Sequence, residues 1–243
     1  MTALATFSSP LLRGRLVERY KRFFADVELD GGELVTAHCP NPGSMKGCSI
    51  PGGIVWLSES PGQKRKLKYT WEIAKVGGAR VFVNPVRAND VVARALGRRQ
   101  IAELAAYSDV LREVRHGKSR IDFMLSAGVQ RCYVEVKNVT LALGAGRAAF
   151  PDSVTERGRR HLEELEVIHG NGARAVMLFC VSRTDAVSVE PAVDIDPLYA
   201  EALRKAASRG VELLAYKARV TLRGVALGRR LPVLLRPPAR AAS

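Results

Sequence analysis

Along the first third of the chain, apolar residues recur with a period near two, in short runs broken by turn residues. Arg15 to Leu29, Glu33 to His38, Gly53 to Ser58, Tyr69 to Val76 and Arg80 to Asn84 are rich in Val, Ile, Tyr, Phe and Trp. Gly31-Gly32, Pro40-Asn-Pro-Gly43, Pro51-Gly-Gly53, Pro61-Gly62 and Gly77-Gly78 separate them, and glycine and proline supply the backbone angles that tight turns need. Strands at this spacing predict a small barrel or half-open sandwich over residues 1–85.

The period then lengthens. Val91, Ala95, Leu96, Ile101, Leu104 and Ala105 approximate one apolar face of a helix from Asp90 to Tyr107, interrupted by Gly97. Strand-like segments follow at Val110 to Arg115, Arg120 to Ser126 and Arg131 to Leu141. A helix from Thr155 to about His169 is ended by Gly170-Asn-Gly172. Next come a strong strand (Ala173 to Ser182), a weaker one (Ala186 to Pro191), a helix (Pro197 to Ser208) and a strand (Val211 to Lys217). Arg219 to Leu235 read as a hairpin turning at Gly224 or Gly228. Strands alternating with helices predict a mixed sheet flanked by helices over residues 86–243. The fold class is α+β or mixed, in two domains.

Composition narrows the setting. With 47% apolar residues in 243, a real core can be buried. The longest apolar runs, such as Arg174 to Val181, are strand-length, well short of the roughly 20 residues of a membrane helix. Met1 to Pro10 lacks the basic start and apolar segment of a signal peptide. Cys39, Cys48, Cys132 and Cys180 lie far apart without metal-type spacing and read as buried thiols in a reducing cytosol. A cytoplasmic protein with no membrane partner is expected.

Charge points to the partner. Thirty-eight Lys and Arg against 24 Asp and Glu give a net charge of +14 and a pI near 10.1. Such a balance attracts polyanions, because neutralised phosphates release condensed counterions. From Leu213 onward Lys217, Arg219, Arg223, Arg229, Arg230, Arg236 and Arg240 meet no acid. This basic C-terminal tail reads equally as solvated or as phosphate-contacting.

The candidate chemistry sits between Ser119 and Val139. Two apolar strands flank Ser126-Ala-Gly-Val-Gln130, a natural turn. In an antiparallel hairpin centred between Gly128 and Val129, opposed residues sum to 257, and 122 + 135 = 257. Asp122 then faces Glu135, and Lys137 projects from the same face as Glu135. Like charges opposed in a sheet repel, so the pair calls for a reason, and a divalent cation supplies one. Carboxylates suit Mg²⁺ or Mn²⁺, with the Val136 carbonyl as a further ligand and Lys137 beside the attacking water. The competing reading is a solvent-facing Glu-x-Lys pair, although Tyr133, Val134, Val136 and Val139 make the strand look buried. Glu103 is a third candidate acid, or an exposed helix residue. His38, His116 and His161 show no zinc-type spacing and read as structural or surface residues. No nucleophile elbow, Walker loop or dinucleotide fingerprint is present.

Two stretches suggest nucleic-acid contacts. Lys64, Arg65, Lys66 and Lys68 run into Tyr69 and Trp71, a basic–aromatic pattern suited to stacking single strands, or else a charged loop with two core aromatics. Arg157, Arg159 and Arg160 open a helix whose backbone N–H groups suit a phosphate, or else form its solvated face. Arg120, two residues before Asp122, joins these candidates.

Three stretches resemble the sugar fermentation stimulation protein A (SfsA) family. They are His38-Cys-Pro-Asn-Pro-Gly-Ser-Met-Lys-Gly-Cys48, Ser119-Arg-Ile-Asp122 with Tyr133-Val-Glu-Val-Lys-Asn-Val-Thr-Leu141, and Phe150-Pro-Asp-Ser-Val-Thr-Glu-Arg-Gly-Arg-Arg-His161. Smaller echoes at Ile101–Leu104, Ile195–Tyr199 and Gly210–Tyr216 carry the likeness from about Leu11 to Leu235. The resemblance implies an N-terminal OB-like barrel followed by a PD-(D/E)XK nuclease-like domain. It implies DNA binding without sequence specificity and a regulatory role in maltose metabolism. Asp122, Glu135 and Lys137 match the acid and the E-x-K triplet of the nuclease pattern, and Glu103 its upstream acid. Nuclease folds also serve non-catalytic roles, so a DNA-binding regulator on this scaffold is the alternative, with an RNA-associated protein behind it.

Overall fold

The computed structural model describes residues 4–60, 66–117 and 119–235. After a short strand β1 (Ala5–Thr6), the chain builds β2 (Leu12–Tyr20), β3 (Phe24–Leu29), β4 (Leu34–His38), β5 (Ile54–Glu59), β6 (Tyr69–Val76) and β7 (Ala79–Phe82). The strands order β4-β3-β2-β5-β6, and β4 closes on the start of β6 through Ala37↔Tyr69 and His38↔Thr70. This is an OB domain with a closed five-stranded barrel. Leu16, Val27, Val35, Ala37, Leu57 and Trp71 alternate inward and fill it. The run expected as one strand from Arg15 to Leu29 is two strands of a hairpin. Lys21 and Arg22 both adopt left-handed angles at its turn (φ +47° and +63°), a turn made without glycine and so without a signal.

The second domain begins with α1 (Pro85–Gly97), capped by Asn84, whose side chain accepts from the Arg87 N–H, with Pro85 in the first turn. The helix therefore starts and stops earlier than the apolar stripe predicts. Gly97 ends it, and residues 102–104 form a separate single-turn helix that carries Glu103. Then come β8 (Asp109–His116), β9 (Ser119–Ala127), β10 (Gln130–Val139), β11 (Leu141–Gly144), β12 (Arg147–Phe150), α2 (Glu156–Gly170), β13 (Arg174–Val181), β14 (Ser188–Pro191), α3 (Pro197–Ser208), β15 (Glu212–Thr221) and β16 (Gly224–Arg230).

Seven strands form a mixed sheet ordered β1-β16-β15-β13-β10-β9-β8, with β10, β13 and β15 parallel. β13 is apolar almost throughout because both its faces are covered. On one face α1 packs Val91, Val92 and Ala95 against Val134, Val136 and Leu178. On the other, α2 and α3 pack Leu162, Leu165 and Leu203 against Met177 and Phe179. A smaller sheet, β11-β12-β14, lies beside them.

The division at residue 85 needs one correction. Ala5 and Thr6 pair with Val225 and Gly224 of β16, and Phe7 joins the core under α1. The chain thus starts in the second domain's sheet before building the barrel. A β-bridge, Val81↔Arg183, and the Phe82 N–H to Ser182 carbonyl bond (2.8 Å) tie the two domains along β7.

Candidate functional site

The β9–β10 hairpin keeps the register that sums to 257, from Gln130↔Ala127 to Val134↔Phe123. The ladder ends there. On the β8 side Glu113 takes a left-handed angle (φ +54°) between the pairs Arg112↔Phe123 and Val114↔Ile121. Asp122 is consequently released from both neighbours, and its own carboxylate replaces the missing ladder bond. Oδ2 accepts the Val136 N–H at 2.7 Å, and Oδ1 accepts the Asn89 amide of α1 at 2.8 Å. Asp122 is therefore joined to β10 through a side chain, one position beyond the last regular pair.

Glu135 is 3% exposed. Its Oε1 receives the Lys137 ammonium at 2.7 Å and Nδ1 of His161, from α2. Arg157 Nε donates to His161 Nε2 at 3.3 Å, so the ring's proton belongs on Nδ1, where it faces Glu135. Lys137 Nζ lies 3.1 Å from that same ring nitrogen. Glu135 Oε2, in contrast, is buried without a hydrogen-bond partner among the described residues.

Asp122, Glu135, Val136, Lys137, Arg157 and His161 all line one cavity of about 700 Å³. Burial, and then the Glu135 charge, push the Asp122 carboxyl up to about 6. Burial also works against the charged form of Glu135, but the Lys137 ammonium and the His161 hydrogen bond outweigh it and hold that acid below its ordinary value. One acid held ionised beside a second that resists ionisation, with one carboxylate oxygen left bare, suits a hard cation with oxygen ligands. Among the described residues no three His, Cys, Asp or Glu side chains form a closed metal cage. The two carboxylates alone would leave most coordination positions of such a cation open.

Two family models match the chain. One, the SfsA N-terminal OB domain, covers residues 17–83, and the other, the sugar fermentation stimulation protein RE domain, covers residues 86–224. The chain belongs to the SfsA family. Proteins called sugar fermentation stimulation protein homolog from Pseudomonas putida (strain GB-1) and Geobacter metallireducens are 52% and 50% identical over 235 and 229 residues. These alignments cover 95% and 93% of this chain, and 99% and 98% of those proteins. A solved structure of Pyrococcus furiosus SfsA in complex with Ca²⁺ matches with a TM-score of 0.88 at 26% identity, over 96% of this chain and 99% of that one.

Within this SfsA-family fold several sequence candidates take other places. Glu103 accepts the Tyr216 hydroxyl at 2.5 Å and pairs with Arg230 at 2.8 Å, outside the cavity lining. The chain leaves α1 at Gly97, so the expected continuous helix never carries Glu103 toward the carboxylates. Tyr69 and Trp71 face the barrel interior, and the Trp71 indole donates to the Ile73 carbonyl at 3.1 Å. They are core residues, not stacking platforms. Lys66 is exposed, and Lys68 pairs with Glu59 at 2.8 Å; Lys64 and Arg65, like Arg236 and Arg240, lie outside the described residues. Arg159 is turned to Asp196, the cap of α3, and the Gly158 N–H of the α2 N-terminus is taken by Thr155 Oγ1 at 3.0 Å. That helix start is consequently not an open phosphate cradle. Arg160 is exposed outside the cavity lining, as is Arg120, which lies 3.5 Å from Glu113. Of the basic candidates among the described residues, only Arg157 lines the cavity.

His161 and Asn89 are the residues that sequence reading passed over. His161 carries a signal in retrospect. It falls on the buried face of α2 with Leu162, Leu165 and Ile168, where an imidazole needs a partner. Asn89 carries none, because its value arises only from where α1 meets β9. All four cysteines are free and buried, as expected. No helix among the described residues is long and apolar enough to cross a membrane.

Proposed function

We propose that this SfsA-family chain binds DNA and hydrolyses its phosphodiester bonds at a Mg²⁺ or Mn²⁺ site formed by Asp122, Glu135 and the Val136 carbonyl. The observation that carries this reading is the buried, unpartnered Oε2 of Glu135 beside an aspartate pushed up to about 6. A buried charge without a partner is costly, and a hard cation would offset that cost. The Ca²⁺ complex of the Pyrococcus furiosus relative supports such an ion. The net charge of +14 supports a polyanionic substrate.

When bound, the cation would polarise a phosphate oxygen and acidify a water. The residues around it have distinct tasks. Asn89 and the Val136 N–H fix the Asp122 carboxylate, and His161 fixes that of Glu135. With a phosphodiester in the cavity, the Lys137 ammonium would orient the attacking water or neutralise developing charge. Arg157 both orients His161 and reaches the cavity, a place from which to hold a phosphate oxygen.

Calorimetric titration with Mg²⁺ and Mn²⁺, paired with cleavage assays on single- and double-stranded DNA, tests the reading. Wild type should bind metal and Asp122→Asn should not. Absence of metal-stimulated cleavage on either substrate would remove the enzymatic part.

A second reading is a non-catalytic DNA-binding regulator of sugar metabolism, of which the relatives' name supports only the link to sugar fermentation. It is favoured by the engagement of Glu135 Oε1 with both Lys137 and His161, which satisfies half of that carboxylate from within the protein. It requires salt-sensitive DNA binding without turnover in any divalent metal.

A further inference from the structure

The Pro40-Asn-Pro-Gly-Ser44 turn belongs to the barrel in sequence but to the cavity in space. Leaving β4, it crosses to the second domain and is latched there. The Met45 N–H donates to Asp152 Oδ2 at 2.9 Å, and Ser44 Oγ donates to the Asp152 carbonyl at 2.5 Å. Asn41 Oδ1 accepts the Gly43 N–H at 2.9 Å, and Met45 is buried in a left-handed conformation (φ +55°). A Cβ at Gly43 would stand 2.7 Å from Asp152 Oδ1, so a larger residue there would push on the carboxylate that latches Met45.

Arg19 of β2 holds the turn from the barrel side. Its guanidinium donates to the carbonyls of Arg22, Asn41 and Gly43, each at 2.9 Å, and of Ser44 at 3.2 Å. One side chain thereby fastens the 40–45 turn to the β2–β3 turn. Left-handed backbone at non-glycine positions and an arginine whose two terminal nitrogens bind four carbonyls are features of a constructed wall, not a passive connection.

This wall lines the same cavity as the carboxylates, through Asn41, Pro42, Gly43 and Arg22. Arg22 is exposed, and its guanidinium forms no ion pair with any described residue. The acids lie on the cavity's second-domain side, Glu135 buried and Asp122 partly so, and a phosphodiester must enter the cavity to reach Glu135. A space of about 700 Å³ is of small-ligand size, enough for a phosphate with its adjoining nucleosides. A single strand can splay its bases to enter, whereas the interior of a duplex must first unpair.

We infer that Arg22 is a substrate-positioning residue that the barrel lends to the metal site, where it grips a backbone phosphate, and that the cleft it helps enclose takes single strands or strand ends in preference to continuous duplex. The inference rests on the phosphodiesterase reading for its chemistry, but its binding arm stands without turnover.

The test uses the full chain as wild type, Arg22→Ala and Arg22→Lys. One substrate is a fluorescent single-stranded oligodeoxynucleotide; the other is a duplex of the same sequence closed by hairpin loops at both ends. Anisotropy in Ca²⁺ reads binding, cleavage in Mg²⁺ reads turnover, and calorimetry with Ca²⁺ alone reads the metal site. Arg22→Ala should weaken strand binding and raise KM roughly tenfold, as loss of a charge-assisted hydrogen bond implies. kcat should change far less, Arg22→Lys should restore part of the loss, and Ca²⁺ affinity should not move. Wild type should favour the strand over the closed duplex by at least about tenfold. Equal strand affinity in wild type and Arg22→Ala overturns the role of Arg22, and equal affinity for strand and closed duplex overturns the substrate class. If nothing is cleaved in Mg²⁺, the phosphodiesterase reading falls, and the anisotropy series still decides both points.

Discussion

Strands β6 and β10 carry the two segments that looked most functional in the sequence, and the fold put them to opposite uses. In β6, Tyr69 and Trp71 follow a run of lysines, yet both rings point into the closed barrel and Trp71 is fully buried. In β10, Glu135 and Lys137 alternate in the same way and also point inward, toward α2. The difference is chemical. Aromatic side chains gain by burial and need little in return, so an inward stripe of them is complete as core. A buried carboxylate must be matched, and Glu135 is matched at one oxygen only. A half-satisfied carboxylate beside a lysine and a second acid marks the candidate site.

Four experiments press on this comparison. The largest effect is expected for Lys137→Ala, which should lower metal-dependent DNA cleavage by roughly 10²–10³-fold, the scale of losing one preorganised charge, with DNA affinity largely intact. Cleavage at wild-type rate would return Lys137 to the rank of a structural ion pair. Next, Trp71→Ala should destabilise the fold by about 3–5 kcal/mol in urea unfolding, while strand affinity per folded molecule stays at the wild-type level. Lost binding at unchanged stability would reinstate stacking on this ring.

The third turns on Asp122. Its carboxyl titrates near 6 in the folded chain against 3.8 for the free group, so the native state binds its proton more tightly. The stability this confers is present below about pH 4 and is lost as pH rises through 6. In chelator, Asp122→Asn should therefore be more stable than wild type above pH 6, by roughly 1–3 kcal/mol, while losing metal binding. Thermal melts at pH 5 and pH 8 read the difference; a variant less stable at both would contradict it. The smallest effect is expected for Glu103→Gln, which should leave metal affinity unchanged in calorimetry because that acid serves Tyr216 and Arg230. A tenfold loss would bring Glu103 back into the site.

Local order was readable in the residues alone. Thr155 capping α2, Asp196 and Pro197 opening α3, and the tight turn at Gly128-Val129 act within a few positions of themselves. The turn set the register of β9 and β10, and so brought Asp122 level with Glu135. The hairpin turn at Lys21 and Arg22 escaped because neither residue advertises a left-handed backbone.

What only the tertiary structure decided is who meets whom across long separations. Asn89 reaches Asp122, His161 reaches Glu135, Asp152 latches Met45, and Ala5 pairs with Val225. Each of these contacts depends on how helices and sheet edges stack once the apolar faces are buried, and apolar burial is non-directional. Periodicity tells a residue which way to face but not which polar partner waits there. Composition, turns and a hairpin register therefore defined the two carboxylates and the lysine, while packing chose the histidine, the asparagine and the barrel's wall around them.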